Sequence, residues 1–229
     1  MAKKRYFTEA ELKAMGTRTR DLLDKAIDEG DAEKAKKLCH RMYAEWLAMH
    51  DLYVRWVASL LSYVYDNYGD ESLQKALKKS CAAWYKVSYE NIAKADDFKR
   101  KVEMFAMGLR GHLQPIIIEE DDEKVSLKMD PCGSGGRLLL SGAYEPPLCL
   151  SKVKKGQEIT LGQADFPIYC CHTPMIEMLQ IEWGGELNTV CKVPDDIKDL
   201  GCSFLMYKDP NKVPEQYYKR LSKERKKRS

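Results

Sequence analysis

The spacing of apolar residues predicts helices through about the first 110 residues of the chain. The longest apolar stripe belongs to a predicted second helix that ends near Gly69, and its members recur three and four positions apart. They are Leu38, Met42, Trp46, Met49, Tyr53, Trp56, Leu60 and Tyr63.

Capping residues give the boundaries of four predicted helices. Thr8 and Glu11 have the form of a capping box, in which each side chain bonds the other residue's amide. We expect this first helix to run to about Glu29 and to stop at Gly30. The later helices are predicted from Asp31 to near Gly69, from Asp70 to about Lys94, and from Asp96 or Asp97 to about Leu109.

The second predicted helix has an unusually wide apolar surface. Val54, Val57 and Leu61 belong to a second apolar flank beside the main stripe. Such a helix needs several partners, so it is predicted to be the central helix of a bundle or to pair with another subunit in a homodimer. Its aromatic residues could also line a pocket, although we favour the interpretation that they pack in the core.

After His112 the pattern changes from helical spacing to short β-like segments. Ile116–Ile118 and Val125–Met129 flank an acidic run, which predicts a hairpin. Further strands are predicted at Arg137–Ser141 and Gln157–Leu161. The predicted fold is therefore α+β: an N-terminal helical bundle (residues 1–112), a small loop-rich Cys-bearing α+β module (113–218) and a basic tail (219–229).

Composition indicates a soluble protein with a substantial core. The chain has 229 residues, of which 44% are hydrophobic and 32% are charged. No stretch approaches the roughly 18 apolar residues of a membrane span, and the first residues lack the apolar segment of a signal peptide. We therefore expect a cytoplasmic protein with reduced thiols and no membrane partner.

The positive charge is concentrated at the end of the chain. Residues 219–229 contain seven Lys/Arg and one Glu, whereas the rest of the chain has 31 basic and 34 acidic residues. We do not expect nucleic acid as a partner, and we expect the tail to be a solvated, frayed end.

Eight cysteines in a reduced compartment favour metal or thiol chemistry over disulfides. Cys39 and Cys81 lie within helical patterns and are predicted to be small core residues. The other six follow residue 130.

Two motifs in the second half supply metal ligands. Cys132 precedes Gly-Ser-Gly-Gly, which forms a loop that can expose its backbone amides. The run Cys170-Cys171-His172 is predicted to be extended, and an extended backbone places the side chains of Cys170 and His172 on one face. With Cys202, these residues predict a site for zinc, with iron as the alternative. The predicted ligands are Cys132, Cys170, His172 and Cys202, with His112 in reserve.

Other interpretations of these residues stay open. Cys132 could be a nucleophile activated by His172 rather than a ligand, or the cysteines could simply be buried. If the site is catalytic, Glu177 or Glu182 is a candidate general base, and Arg137 is a candidate clamp for a substrate carboxylate. The alternative interpretations are that both glutamates face solvent and that Arg137 is an ordinary strand residue without a role in binding.

A short segment near the end of the module resembles a known family. Gly201, Cys202 and Phe204 form a Gly-Cys-x-Phe sequence similar to the ending of the L-2-amino-thiazoline-4-carboxylic acid hydrolase family and of related 4-vinyl-reductase-type ligand-binding domains. The resemblance implies a cytosolic, bacterial-type enzyme or sensor for a small molecule that contains sulfur or nitrogen. It also implies hydrolytic opening of a C–N bond.

The sequence thus predicts one of two functions. The first is a metal-dependent hydrolase, with zinc the expected metal, that acts on a small amidine- or amide-like substrate. The alternative is a non-enzymatic ligand-sensing or interaction module whose metal site is structural.

Overall fold

The computed structural model of the protein describes residues 6–194 and 199–225. The chain divides into two compact units, Met1–Leu52 and Tyr53–Ser229, and a long helix contains the boundary. Helices dominate and a small antiparallel sheet follows them, so the predicted α+β class is confirmed. Among the described residues, no helix combines the length and apolar character needed to cross a membrane.

The first unit contains helices α1 (Glu9–Gly16) and α2 (Thr19–Asp28) and the beginning of α3. The predicted capping box is confirmed, since Glu11 N donates to Thr8 Oγ1 at 3.2 Å and Thr8 N donates to Glu11 Oε2 at 2.7 Å. The prediction of one helix to Glu29 is wrong. Thr17 and Arg18 are extended, and the low helix propensity of the Gly-Thr step explains the break.

Helix α3 (Ala32–Ala93) begins at the predicted cap, where Lys34 N donates to Asp31 Oδ1 at 3.0 Å. Gly69 is its one non-helical residue, with φ 74°, a conformation that favours glycine. The predicted junction between the second and third helices is therefore confirmed. Helix α4 (Phe98–Arg110) starts at its predicted cap, Asp97.

The second unit contains a four-stranded antiparallel sheet. Strands β1 (Ile116–Glu120) and β2 (Lys124–Met129) form the predicted hairpin, in which Ile118 is paired with Leu127. The sheet continues through β6 (Cys202–Tyr207) to β5 (Val190–Lys192), giving the order β1-β2-β6-β5. A second sheet pairs β3 (Lys152–Val153) with β4 (Phe166–Pro167).

Alternation along the strands gives the large sheet two apolar faces. Leu127 and Met129 pack with Leu109 of α4 on one face. On the other, Val190 and Leu205 pack with residues near the end of the chain. Burial on both sides fixes the strand register, since a shift of one residue would exchange the two faces.

Three predicted extended segments are not strands. Helix α5 (Gly135–Leu140) replaces the strand at Arg137–Ser141, where three leucines favour helix. A single turn, Glu158–Thr160, replaces the strand at Gln157–Leu161 and is held by Gln157 N donating to Thr160 Oγ1 at 2.9 Å.

The Cys-Cys-His run also differs from its prediction. It covers the end of a 3-10 turn (Ile168–Cys171) and the start of helix α6 (His172–Gly184). Pro174 fits this arrangement because proline is tolerated in the first turn of a helix.

The main core of the second unit is formed by α3, α6 and the segment before α6. Leu77 and Cys81 of α3 pack in one cluster with Ile168 and Leu179. The prediction of a buried Cys81 is therefore confirmed. The same prediction for Cys39 is wrong, since that residue is exposed.

The last described residues are packed onto the second unit. Helix α7 (Gln216–Lys219) carries the fully buried Tyr218, and Leu221 is fully buried after it. Arg225 donates to the carbonyls of Asn211 and Val213 at 2.8 and 2.5 Å. The expected frayed tail is therefore wrong for residues 219–225, while residues 226–229 lie outside the described part of the chain.

Tyr218→Ala should lower the free energy of unfolding by about 3–5 kcal/mol. The change removes a fully buried ring and the hydroxyl that accepts from Leu187 N at 3.1 Å. Urea denaturation measures the effect. Lys219→Ala, at an exposed neighbouring position, is the control and should stay within about 0.5 kcal/mol of wild type. Equal effects of the two changes would mean that the C-terminal segment is not docked.

Candidate functional site

The glycine-rich loop after β2 wraps its backbone around the sulfur of Cys132. The amides of Ser134, Gly135 and Gly136 donate to this sulfur, and Cys132 N donates to Leu200 O at 2.8 Å. Burial raises the pKa of the Cys132 thiol, and the three amides oppose that rise. The exposed amides that the sequence predicted for this loop therefore contact the sulfur of its own cysteine.

Glycine is required at position 135 because another cysteine lies directly beside it. A Cβ atom there would lie 2.7 Å from Cys170 Sγ, which is too close for a real contact. The absence of a side chain at Gly135 thus allows the turn before α6 to approach the loop that contains Cys132. Two motifs 38 residues apart in the chain meet at this point.

Four cysteines from four segments form a thiol cluster, which we define as Cys132, Cys170, Cys191 and Cys202. Burial raises the pKa of Cys170 well above its usual range, and the nearby sulfurs of Cys202 and Cys132 raise it further. The side chains of Cys191 and Cys202 are hydrogen-bonded to each other. Three predicted metal ligands, Cys132, Cys170 and Cys202, are thereby brought together with one cysteine that the prediction missed.

Cys202 differs electrostatically from its neighbours. The hydrogen bond from Cys191 lowers the pKa of Cys202, because it stabilises the thiolate, although burial acts in the opposite direction. The same bond and burial raise the pKa of Cys191.

The cluster is not arranged as a closed set of metal ligands. Within residues 6–194 and 199–225, no three or more His, Cys, Asp or Glu side chains stand in a geometry that could hold a metal ion. Soft thiolates suit zinc or iron chemically, but at least one side chain would have to turn toward a common centre.

Cys171 points away from the cluster. Its side chain is fully buried in the main core, and its sulfur lies 3.9 Å from Pro167 O. The two adjacent cysteines therefore face different surroundings. The predicted strand would also have placed them on opposite faces, but the backbone here is a 3-10 turn followed by a helix.

His172 is held in a defined orientation at the start of α6. Its Nδ1 lies 2.6 Å from the carbonyl oxygen of Tyr169, and because a carbonyl only accepts, Nδ1 carries the proton. This leaves the Nε2 lone pair available, with Thr173 Oγ1 at 3.4 Å. Burial lowers the pKa of His172, so the ring is neutral near pH 7.

A cavity of about 280 Å³ lies in the second unit beside these residues. Elements α3, α4, α6 and strands β5 and β6 supply its walls. One wall is mainly aromatic and aliphatic, and the other contains polar groups. The apolar wall includes Trp84, Tyr85, Ile92, Phe105, Leu109 and Phe204, and the polar wall includes His112, His172, Glu177, Gln180, Thr189 and Cys191.

His112 and Cys191 connect the cavity with the thiol cluster. His112 lines the cavity, and its Nδ1 is hydrogen-bonded to Ser134 Oγ in the loop around Cys132. Cys191 lines the cavity and is bonded to Cys202. A molecule in the cavity would therefore lie against groups that contact the cluster directly.

Glu177 is buried and fully engaged. Arg220 Nη2 lies 2.8 and 2.7 Å from its two oxygens, and Cys191 N donates to Oε1 at 2.5 Å. Burial nevertheless raises the pKa of Glu177 to about 7, because the loss of solvation outweighs the nearby guanidinium. Glu177 thus joins α6, β5 and the C-terminal segment at the cavity wall.

The other two predicted catalytic residues lie elsewhere. Glu182 is half-exposed and forms an ion pair with Lys78 at 2.7 Å, beside a separate surface depression. Arg137 is half-buried in α5, and its amide donates to Cys132 O at 3.1 Å. Neither side chain is part of the cavity wall.

Sequence reasoning missed Cys191 and Gln180. Gln180 is fully buried, and its Oε1 accepts from the amides of Asn188 and Thr189 at 2.9 and 3.0 Å. A signal existed for Cys191, since Val190 and Cys191 follow the turn-forming Gly184-Gly185 as a short β-like segment. No local pattern marked Gln180 as buried.

No protein-family model matches the sequence, and neither the curated proteins nor the solved structures contain a detectable match. The resemblance carried by Gly201, Cys202 and Phe204 therefore stays a prediction. The geometry adds one relevant observation. Cys202 belongs to the thiol cluster, and Phe204 lines the cavity, where its ring meets Phe105 edge-on with centroids 5.4 Å apart.

The raised pKa of Glu177 predicts a specific pH dependence of stability. Its folded-state value of about 7 exceeds the ordinary value of 4.5, so the native state holds this proton more tightly than the unfolded state. The resulting stabilisation is complete below about pH 4.5 and is lost as the pH rises through 7. Relative to Glu177→Gln, the wild-type free energy of unfolding should fall over this window by a few kcal/mol, at about 1.4 kcal/mol per pKa unit.

Chemical denaturation at several pH values measures this difference. Glu182→Gln is the matched control, and its pH profile should run parallel to that of wild type because the carboxylate at 182 reaches solvent. A constant difference between wild type and Glu177→Gln from pH 4.5 to 7.5 would show that Glu177 stays ionised.

Proposed function

We propose that this chain is a metal-dependent hydrolase that opens a C–N bond of a small amidine- or amide-like molecule. The observation that carries the proposal is the thiol cluster beside the cavity: cysteines from a loop, a turn and two strands converge where a small molecule has room to bind. Zinc is the metal that we propose, with iron as the alternative.

The metal ligands in this proposal are Cys132, Cys170 and Cys202. Buried neutral thiols close to one another are costly to ionise, and a bound cation removes that cost by compensating the thiolate charges. The three amides around Cys132 and the hydrogen bond from Cys191 to Cys202 favour two of the thiolates further. When bound, the metal would supply a Lewis acid and a site for activating water.

His172 is the residue to which we assign proton transfer. Its ring is neutral, its tautomer is fixed by Tyr169 O, and its Nε2 lone pair is available at the cavity wall. Glu177 is less suited to this role because its carboxylate already accepts from Arg220 and from the Cys191 amide. The predicted role of His172 as a fourth ligand stays a prediction, since it would use the same nitrogen.

The cavity supports a small substrate with a planar or apolar part. Its volume of about 280 Å³ lies just below the range of typical ligand pockets, roughly 300–1,000 Å³. Phe105, Phe204 and Tyr85 offer aromatic surface on one side, and the two histidines offer polar contacts on the other. The choice of a C–N bond rests on the resemblance at Gly201, Cys202 and Phe204.

We also infer a reducing, cytoplasmic location. All eight cysteines are free, including the pair Cys191 and Cys202, whose sulfurs are hydrogen-bonded. Free thiols in this number persist where glutathione and thioredoxin keep them reduced.

A second function, ligand sensing without turnover, is favoured by a different observation. Two polar groups of the cavity wall, Gln180 and Glu177, are already hydrogen-bonded within the protein. Such groups shape a binding pocket but do not readily exchange protons with a substrate. In this case the metal would be structural, and a ligand would bind without being consumed.

Single Cys→Ser changes at 132, 170 and 202 should each weaken zinc binding by more than about tenfold. Serine keeps the size of the side chain but is a poor ligand for zinc. Affinity is measured on untagged, reduced protein by competition with a chromogenic zinc chelator. Cys149→Ser, which removes an exposed cysteine, is the control and should bind as wild type does.

Two further readouts separate the functions. If His172 transfers protons, His172→Ala should retain zinc but should no longer release ammonia from a panel of small amides and amidines. Loss of zinc from this variant would instead identify His172 as a metal ligand. Wild-type protein that takes up neither zinc nor iron would contradict the metal site. Ligand binding with no turnover by zinc-loaded protein would favour the sensing function.

Filling the cavity tests whether it is the substrate site. A Cβ at Gly108 of α4 meets nothing within 4 Å, so Gly108→Leu should project into the cavity without a clash. We expect more than a tenfold loss of kcat/KM, or of ligand affinity, with zinc content unchanged. Arg110→Leu, at an exposed position that does not line the cavity, should keep activity. Unchanged activity in Gly108→Leu would exclude the cavity as the substrate site.

A further inference from the structure

Within the part of the chain that the structure describes, the cavity wall carries almost no formal charge. Every described residue of the wall belongs to the second unit, and none of them is a lysine, an arginine or an aspartate. Glu177 is the one carboxylate among these described residues. A buried charge without a partner is costly, so a site for a charged ligand needs an opposite charge. The composition of the wall therefore limits which ligands can bind.

The charge of Glu177 is compensated within the protein. Arg220 Nη2 lies 2.8 and 2.7 Å from the two carboxylate oxygens, and Cys191 N also donates to Oε1. Arg220 is not among the lining residues, and the same Nη2 donates to Cys191 O at 2.9 Å. A cationic ligand would have to compete with this guanidinium for the carboxylate. An anionic ligand in the cavity would meet the carboxylate instead of the guanidinium.

Two other arginines also lie outside the wall. Arg137, which the sequence predicted as a clamp for a substrate carboxylate, belongs to α5 and does not line the cavity. Arg110, at the end of α4, is exposed and does not line it either. Neither residue therefore offers a carboxylate in the cavity a direct ion pair.

The polar wall offers neutral hydrogen-bonding groups. His172 Nδ1 donates to Tyr169 O at 2.6 Å, so Nε2 is an acceptor, and burial lowers the pKa of His172, which keeps the ring neutral. Thr173 Oγ1 lies 3.4 Å from that Nε2 and can donate or accept. Deeper polar groups are bonded to each other, since Gln180 Nε2 donates to Thr189 Oγ1 at 2.9 Å. A ligand that both donates and accepts hydrogen bonds fits these groups.

The opposite wall offers flat apolar surface. The rings of Phe105 and Phe204 meet edge-on with centroids 5.4 Å apart, and those of Trp84 and Tyr85 do so at 5.6 Å. Trp84 is 55% exposed and Met107 is 62% exposed, so these two residues lie where the cavity opens to water. Aromatic faces also attract cations, but this attraction is smaller than the cost of burying a cation without a partner.

We propose that the cavity selects an uncharged carboxamide on a flat apolar group and rejects the amidinium and carboxylate analogues of the same shape. The aromatic wall covers the flat group, and the amide N–H donates to His172 Nε2. The amide carbonyl accepts from Thr173 Oγ1. The inference rests on the proposed function for the identity of the reacting bond, and it narrows the amidine- or amide-like class to amides.

Three probes of one shape and different charge test the selection. At pH 8, benzamide is neutral, benzamidine is a cation and benzoate is an anion, while a histidine with the ordinary pKa of about 6.5 is neutral. Calorimetric titration of the full chain, as purified and zinc-loaded, should show benzamide binding at least tenfold more tightly than either ion. Gly108→Leu, which fills the cavity, should abolish benzamide binding. Equal or tighter binding of either ion would overturn the proposal, as would failure of all three to bind at millimolar concentrations.

Adding a cation to the wall should change the preference. Met104 lines the cavity, and Met104→Lys adds an ammonium group on a side chain of similar length. We expect benzoate affinity to rise at least tenfold. Val87→Lys adds the same charge at an exposed position outside the wall and should bind all three probes as wild type does. Circular dichroism checks folding, and Met107→Lys, at an exposed lining position, replaces Met104→Lys if the latter unfolds. A benzoate affinity no higher than that of Val87→Lys would overturn the proposal.

The selection and the proposed function fail in different ways. Ammonia release from benzamide by zinc-loaded protein tests hydrolysis, whereas the order of the three affinities tests the selection. Preferential binding of benzamide without ammonia release would support the selection and contradict hydrolysis. Ammonia release by a protein that binds benzamidine or benzoate more tightly would overturn the selection and support the hydrolase.

Discussion

The buried ion pair between Glu177 and Arg220 is the contact on which the arrangement of the second unit depends. A carboxylate buried in the middle of α6 is costly unless it is compensated, and removing one partner leaves the other charge uncompensated. Arg220 supplies the compensation and also donates to Cys191 O at 2.9 Å, while Cys191 N donates to Glu177. One carboxylate therefore fixes the helix, the edge strand β5 and the C-terminal segment relative to one another.

That arrangement positions His172 and the cysteines of the thiol cluster. His172 and Cys170 lie at the start of α6 and in the turn before it, and Cys191 lies in the strand that Glu177 holds. Cys202 is brought near Cys191 because β6 pairs with β5, with Cys191 opposite Phe204. The thiol cluster is thus a consequence of how α6 and the sheet are joined. Burial raises the pKa of Cys132 and Cys170, and the hydrogen bond with Cys202 together with burial raises the pKa of Cys191, so ionisation of these three thiols is opposed in the protein alone.

Local sequence signals predicted most boundaries of the helical half, because caps and turn residues act over a few positions, but they missed the break between α1 and α2. Thr8, Asp31 and Asp97 cap helices as predicted, and Gly69 breaks α3. The strands after residue 130 were harder to predict because leucine runs and short polar turns satisfy more than one conformation. Residues 137–140 became helix and residues 158–160 a single turn for that reason. The convergence of Cys132, Cys170 and Cys202 followed from cysteine counting, but the roles of Cys191, Gln180 and Arg220 depend on long-range packing that no local pattern contains.

Helix α3 shows how one segment can satisfy two different requirements. The side that carries Val54, Ala58 and Leu61 is buried in the core, and small or branched residues there allow close packing. The side that carries Trp56, Leu60 and Tyr63 is apolar but remains in water. Water contact at this side raises the free energy of the isolated chain by roughly 25 cal/mol for each Å² of apolar surface. Covering that side would lower the free energy by the same amount for each Å² removed from water.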